Sequence, residues 1–81
     1  MAWDIQINPH AEATSVSREL VDVLDEFVQD FEVRYCGLQP DSNVIAALRR
    51  VQAHTREEEA AIAYIVRELE RGDAVELLIG H

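Results

Sequence analysis

The sequence contains no lysine, a single cysteine, two prolines, three glycines and few aromatic residues. Cys36 has no second cysteine to pair with, which excludes an intramolecular disulfide scaffold. The glycines lie singly at positions 37, 72 and 80, so no glycine-rich loop for phosphate is present. No apolar run approaches the ~20 residues of a membrane-spanning helix, and no charged-then-apolar leader opens the chain. We therefore expect a cytoplasmic protein that does not bind membranes.

Acidic residues dominate the charge. The chain has 16 acidic residues and 7 basic ones, all arginine, and its formal net charge is −9 at pH 7. This balance argues against direct binding to nucleic acid, which depends on basic side chains that displace counterions from phosphates. It is compatible with a basic protein partner, with a divalent cation, or with solubility alone.

The chain length limits the size of the core. From 81 residues, of which 48% are hydrophobic, we predict one globular domain spanning residues 1–81. A domain of this size buries only roughly 60–65% of its unfolded surface, so its stability margin is small. A homodimer that hides further apolar surface is compatible with this composition.

Both ends of the chain alternate between apolar and polar residues. Trp3–Ile7 and Val75–Ile79 show the period of two that is typical of half-buried strands. We predict that these two segments pair and close the domain. The alternative for the second segment is a last helical turn, capped by Asp73 with Glu76 at the position of a capping box.

A long first helix is predicted to follow the first strand. Ser15 or Ser17 is its N-cap, and it ends at Cys36–Leu38, where Gly37 adopts the left-handed conformation. An alternative for residues 31–35 is a strand, because Phe31, Val33 and Tyr35 alternate with polar residues. The buried stripe of the helix comprises Val16, Leu20, Val23, Leu24, Phe27 and Phe31.

Two further helices are predicted between Asp41 and Arg71. Asp41 or Ser42 caps the earlier helix, and Gly72–Asp73 ends the later one. Their buried faces comprise Val44, Leu48 and Val51 in one helix and Ile62, Ile65, Val66 and Leu69 in the other. The predicted fold class is therefore mainly α (α+β minor), a three-helix domain with a pair of short terminal strands.

The hinge between these two helices lies at His54–Thr55 and carries a capping box. In such a box the Thr55 hydroxyl accepts a hydrogen bond from the Glu58 amide, and the Glu58 carboxylate accepts one from the Thr55 amide. We therefore predict that the third helix begins directly after Thr55.

The side of the first helix opposite its apolar stripe is acidic. Like charges three and four residues apart destabilise an isolated helix by roughly 0.2–0.5 kcal/mol per pair. One interpretation is that Arg49, Arg50 and Arg56 lie nearby, or that water and salt screen the charge. The other is that this side imitates a row of phosphates and occupies the basic groove of a nucleic-acid-binding protein, as a phage or mobile-element inhibitor would. This acidic face comprises Glu19, Asp22, Asp25, Glu26, Asp30 and Glu32.

A tyrosine on the outer side of the third helix is predicted to be a second contact surface. Tyr64 lies away from the buried stripe, with Arg67 and Arg71 beside it. Tyrosine and arginine are enriched at interface hot spots, so we predict that this Tyr64 patch contacts a partner. The alternative is that a terminal segment of the chain folds over Tyr64.

Metal binding by His54, Glu57 and Glu58 is the alternative function. Residues 53–59 resemble the metal-binding helix of ferritin-like proteins, and that resemblance implies carboxylate ligands on an inward face. The family pattern places a histidine where this chain has Ile62, so a key ligand is missing. We therefore predict no metal and no other cofactor.

A second resemblance is to acyl carrier proteins, in which a serine after an aspartate carries phosphopantetheine. Asp41–Ser42 stands just ahead of a helix, as in that family. The family pattern has glycine two residues before the aspartate and leucine after the serine, where this chain has Gln39 and Asn43. We therefore interpret Ser42 as a helix cap.

Nucleophilic catalysis has little support in the sequence. Cys36 would need a histidine base and an orienting third group, and nothing ties His10, His54 or His81 to it. We predict that the protein is not an enzyme. Our functional hypothesis is a small acidic regulator that binds a basic protein through the acidic face and the Tyr64 patch.

Overall fold

The computed structural model describes residues 3–7, 12–28 and 36–80. These residues form three helices and four strands. In chain order they are β1 (Trp3–Ile7), β2 (Ala13–Val16), α1 (Arg18–Phe27), β3 (Cys36–Leu38), α2 (Ser42–Arg50), α3 (Arg56–Glu70) and β4 (Val75–Gly80).

The strands form one antiparallel sheet in the order β2-β1-β4-β3. The two terminal strands lie side by side at its centre, with Ile5 opposite Ile79 and Ile7 opposite Leu77. The predicted pairing of the chain ends is therefore confirmed, and the helical alternative for the C-terminal segment is wrong. β2 continues the sheet as the hairpin partner of β1, and β3 lies on the other side of β4.

The prediction of a mainly α, three-helix domain with two terminal strands is wrong. Three helices beside a four-stranded antiparallel sheet make the fold α+β. The prediction missed β2 because Ala13–Val16 contains one large apolar residue, and it missed β3 because Cys36–Leu38 spans only 3 residues. Pairing with β1 and β4, more than any local preference, makes these two segments strands.

The first helix begins as predicted but ends earlier. Ser17 is the N-cap, and its hydroxyl accepts a hydrogen bond from the Leu20 amide at 3.4 Å. The helix ends at Phe27. The predicted end at Cys36–Leu38 is wrong, because that segment is a strand in which Gly37 does not adopt a left-handed conformation.

The last turn of α1 is acidic. Its last turn holds Asp25 and Glu26 and no basic residue, so carboxylates lie at the negative end of the helix dipole. The strand predicted as an alternative at residues 31–35 lies outside the described residues.

The other two helices begin where the sequence predicts, and α3 also ends there. α2 ends at Arg50, so Val51, which was predicted in its buried stripe, is its C-cap. Asp41 caps α2, and its side chain accepts a hydrogen bond from the Asn43 amide at 2.7 Å. After α3, Gly72 adopts a positive φ of 89°, and the Asp73 amide donates to the Glu68 carbonyl at 3.0 Å. This arrangement is the usual glycine-containing end of a helix.

All three helices contribute to one hydrophobic core, which lies against one face of the sheet. The facing residues of β1 and β4, such as Ile5 and Leu77, are buried in it. The opposite face of the sheet carries polar residues that include Asp4 and Glu76. The buried core comprises Ile5, Ile7, Leu20, Leu24, Val28, Leu38, Val44, Leu48, Ala61, Ile65, Val66, Leu69, Val75 and Leu77.

The end of α3 gives a test of the backbone geometry. We expect Gly72→Ala to lower the free energy of unfolding by about 1 kcal/mol, because alanine is strained at a positive φ. No atom lies within 4 Å of the added Cβ, so this loss comes from the backbone alone. Gly37→Ala is the matched control, since its Cβ meets only Gln39 Nε2 at 3.9 Å and its φ is not left-handed. Equal losses in urea unfolding of the two variants would contradict this geometry.

Candidate functional site

The structure exposes the described part of the acidic face. Glu19, Asp22, Asp25 and Glu26 all lie on α1 with exposed side chains. Asp30 and Glu32, the other two members of the predicted face, lie outside the described residues. Arg18 makes one ion pair with this face, to Asp22 at 3.9 Å, and both side chains are mostly exposed. An exposed pair at this distance contributes little, so the face keeps most of its negative charge.

The three arginines expected to neutralise this face form no ion pair with it among the described residues. Arg49 pairs with Glu70, which ties the end of α2 to the end of α3. Arg50 and Arg56 are exposed, and within the described ranges neither forms an ion pair with α1. The interpretation that these arginines compensate the acidic face is therefore not supported by the described contacts.

A buried carboxylate fixes the start of α1 against the start of α3. Glu58, in the first turn of α3, is 1% exposed. One of its carboxylate oxygens accepts a hydrogen bond from the Ser17 amide, and the other accepts one from the His54 amide at 2.8 Å. Ser17 is the N-cap of α1, and His54 directly precedes Thr55, the N-cap of α3. One side chain therefore satisfies backbone donors at the beginnings of two helices.

These contacts keep Glu58 ionised although it is buried. Burial alone raises the pKa of the carboxyl, because it disfavours the charged form. The backbone amides of Ser17 and His54, the Ser17 hydroxyl and the coulombic attraction of the His54 side chain together outweigh burial. They hold the pKa of Glu58 below its ordinary value of 4.5.

One of the two hydrogen bonds of the predicted capping box is present. The Glu58 amide donates to the Thr55 hydroxyl at 3.0 Å, which confirms the start of α3. The Glu58 carboxylate reaches His54 and Ser17 instead of the predicted Thr55 amide. The capping-box pattern in the sequence indicates that the Glu58 carboxylate reaches back toward the residues before the helix. Its partner on α1, 41 residues away, has no local signal in the sequence.

The described geometry does not support the metal hypothesis. Both oxygens of Glu58 are occupied by backbone amides, and Glu57 points toward a different cleft. In the part of the chain that the structure describes, no group of three or more histidine, cysteine, aspartate or glutamate side chains could hold a metal ion. The structure therefore offers no observation in favour of His54, Glu57 and Glu58 as ligands.

The Tyr64 patch borders a cleft whose other wall is the first hairpin. Tyr64 is half-buried against the core and lines a cleft of about 330 Å³ between α3 and the β1–β2 hairpin. The Arg67 guanidinium lies 6.0 Å from the centre of its ring. Arg71 pairs with Glu68 at 3.1 Å. The structure thus brings Tyr64 and Arg67 together, and the outward surface that we predicted is also one wall of a cleft.

Ser42 has no special environment. It is the exposed first residue of α2, and Asp41 is the cap. The carrier-protein resemblance therefore gains nothing from the described contacts of α2.

The fold and the site define a small α+β protein with an acidic helix and an acidic cleft. No helix among the described residues is long and apolar enough to cross a membrane. No protein-family model, curated protein or solved structure matches this chain.

Replacing the buried carboxylate tests its structural role. We expect Glu58→Gln to lower the free energy of unfolding by about 2 kcal/mol, because the side-chain amide cannot accept from both backbone amides. For a domain of this size the melting temperature should fall by roughly 10 °C. Glu59→Gln is the matched control, since it removes a charge from the same helical turn but is exposed. Similar melting temperatures for the two variants would show that the Glu58 contacts contribute little.

The pH dependence of the stability gives a second test of the Glu58 carboxylate. Because the folded-state pKa of Glu58 is lowered, its ionised form stabilises the folded state above the ordinary value of 4.5. This contribution is lost as the pH falls through the lower, folded-state pKa. We expect the stability of Glu58→Gln to fall less steeply with acid than that of the parent protein. A parallel fall in both proteins, measured by urea unfolding from neutral to acidic pH, would contradict the assignment.

Proposed function

We propose that this protein is a protein-interaction module that binds a basic protein partner through the acidic face of α1. The observation that carries the proposal is the exposure of four carboxylates on one short helix. Among the described residues, only one of these carboxylates, that of Asp22, forms an ion pair, and the pair is weak. The net charge of −9 acts in the same direction over a longer range. Both features favour fast, salt-sensitive association with a positively charged surface.

The shape of α1 suits this role. Leu20, Val21 and Leu24 are buried on one side of the helix, so the carboxylates on the other side are held outward by the core. The Glu58 contacts fix the beginning of the same helix. A fixed array of charges binds a complementary surface with less loss of conformational freedom than a flexible acidic tail would.

A basic nucleic-acid-binding protein is the class of partner that we favour. Such proteins carry arginine and lysine side chains in a groove that neutralises phosphates. Carboxylates spaced along one helix face offer that groove a similar series of negative charges. The protein would then act as an inhibitor or regulator by occupying the groove, as in a phage or mobile-element system. We further propose a cytoplasmic location, since a single cysteine provides no intramolecular disulfide suited to an oxidising compartment.

Charge reversal on α1 tests the proposal. We expect Asp22→Lys combined with Glu26→Lys to abolish capture of the basic partner from a lysate at low salt. The parent protein should capture it at low salt and lose it at high salt, because exposed charges are screened. The measurement is a pull-down with the tagged 81-residue chain at both salt concentrations, with captured proteins identified by mass spectrometry.

The matched control reverses two charges elsewhere. Glu59→Lys combined with Asp73→Lys gives the same net charge, and both positions are exposed and lie off α1. The control should retain the partner, and circular dichroism should show that both variants are folded. Unchanged capture by the α1 variant, or equal loss in the control, would refute a role for the acidic face.

A further inference from the structure

We infer that the cleft between α3 and the β1–β2 hairpin receives an arginine side chain of the basic partner. This inference rests on the proposed function, since it takes the partner to be a basic protein. It adds a second contact point, separate from the carboxylates of α1. The cleft is lined by Ile7, Glu12, Thr14, Glu57, Ala60, Ala61 and Tyr64.

The cleft has an apolar interior and an acidic rim. Ile7 and Ala61 are buried, and they belong to the core. Glu12 and Glu57 are exposed, and they come from opposite walls, one before β2 and the other in the first turn of α3. A ligand in this space therefore meets apolar surface below and two negative charges above.

An arginine side chain matches both parts of this environment. Its three methylene groups can pack on apolar surface while its charged end stays at the rim. The planar guanidinium forms paired hydrogen bonds with carboxylates and stacks on aromatic rings. Glu12 and Glu57 supply carboxylates, and Tyr64 supplies a ring in the same cleft.

Tyr64 already has a guanidinium near it. Arg67, from the same helix, lies 6.0 Å from the centre of the ring, a distance at which a cation is attracted to an aromatic face. The ring therefore already takes part in one cation contact within α3. A partner arginine would make a contact of the same kind from within the cleft.

Among the described strands, β2 lies at an edge of the sheet, beside the cleft. β2 is the last strand of the described sheet, and it borders the cleft through Thr14. An edge strand presents backbone donors and acceptors to an incoming extended segment. A partner segment that approaches along β2 would place alternate side chains over the cleft, next to Thr14.

Titration of the labelled protein with short peptides tests the cleft. The probe is a blocked pentapeptide with a central arginine flanked by serine and glycine, and its matched partner has neutral citrulline in place of arginine. We expect the backbone amide signals of Thr14, Ala61 and Tyr64 to shift with the arginine peptide in heteronuclear NMR spectra. The citrulline peptide should leave these signals unchanged.

Variants of the rim show which charges are responsible. Glu12→Gln combined with Glu57→Gln should weaken binding of the arginine peptide about fivefold, because each exposed ion pair contributes modestly. Glu59→Gln combined with Asp73→Asn removes the same charge away from the cleft and should leave the affinity unchanged.

Three outcomes would overturn the inference. Shifts confined to α1 would place the arginine on the acidic face, which rejects the cleft and leaves the proposed function standing. Equal shifts with the citrulline peptide, or no shifts near Thr14 and Tyr64, would show that the cleft does not recognise a guanidinium. Equal affinity in the rim variant and its control would show that Glu12 and Glu57 are not its partners.

Discussion

The carboxylate of Glu58 connects the first turns of α1 and α3, and much of the fold depends on this contact. A carboxylate that is 1% exposed is unfavourable unless hydrogen bonds replace the water that it loses. Here the amides of Ser17 and His54 provide those bonds, and they are donors that the helix starts would otherwise leave unpaired. The same hydrogen bonds therefore stabilise the ionised carboxylate inside the protein and give the two backbone amides an acceptor. Loss of this one side chain would remove the hydrogen-bond acceptor of the Ser17 and His54 amides.

This constraint also positions the two surfaces that we assign to partner binding. Ser17 joins β2 to α1, so the Glu58 contact fixes the helix that carries the acidic face. The neighbouring residue, Glu57, is exposed and lines the cleft with Tyr64. Adjacent residues of one helical turn thus differ in environment: Glu58 is buried and binds backbone amides, whereas Glu57 lines the cleft that we assign to a partner. The core residues of α1 and α3 hold both surfaces on rigid elements, which suits recognition of a charged partner.

Local sequence patterns predicted the elements that are specified locally. The alternation in Trp3–Ile7 and Val75–Ile79 gave the central strand pair, and Thr55 and Gly72 gave the two ends of α3. The edge strands β2 and β3 were missed because pairing with a neighbouring strand, and not their own residues, makes them strands. The burial of Glu58 was missed for a similar reason, since a run of three glutamates in a first helical turn resembles a solvated surface. The acidic face could be predicted from helical periodicity, whereas the cleft beside Tyr64 requires the hairpin to be in place.

The most direct test of this account is the titration of the Glu58 carboxyl group, followed by its side-chain carbon signal in NMR spectra. We predict a midpoint below 4.5. The amide protons of Ser17 and His54 should shift with the same midpoint, because both donate to this carboxylate. A Glu58 midpoint at or above 4.5, or amide signals of Ser17 and His54 that do not follow it, would contradict the claim that one buried carboxylate joins the two helices.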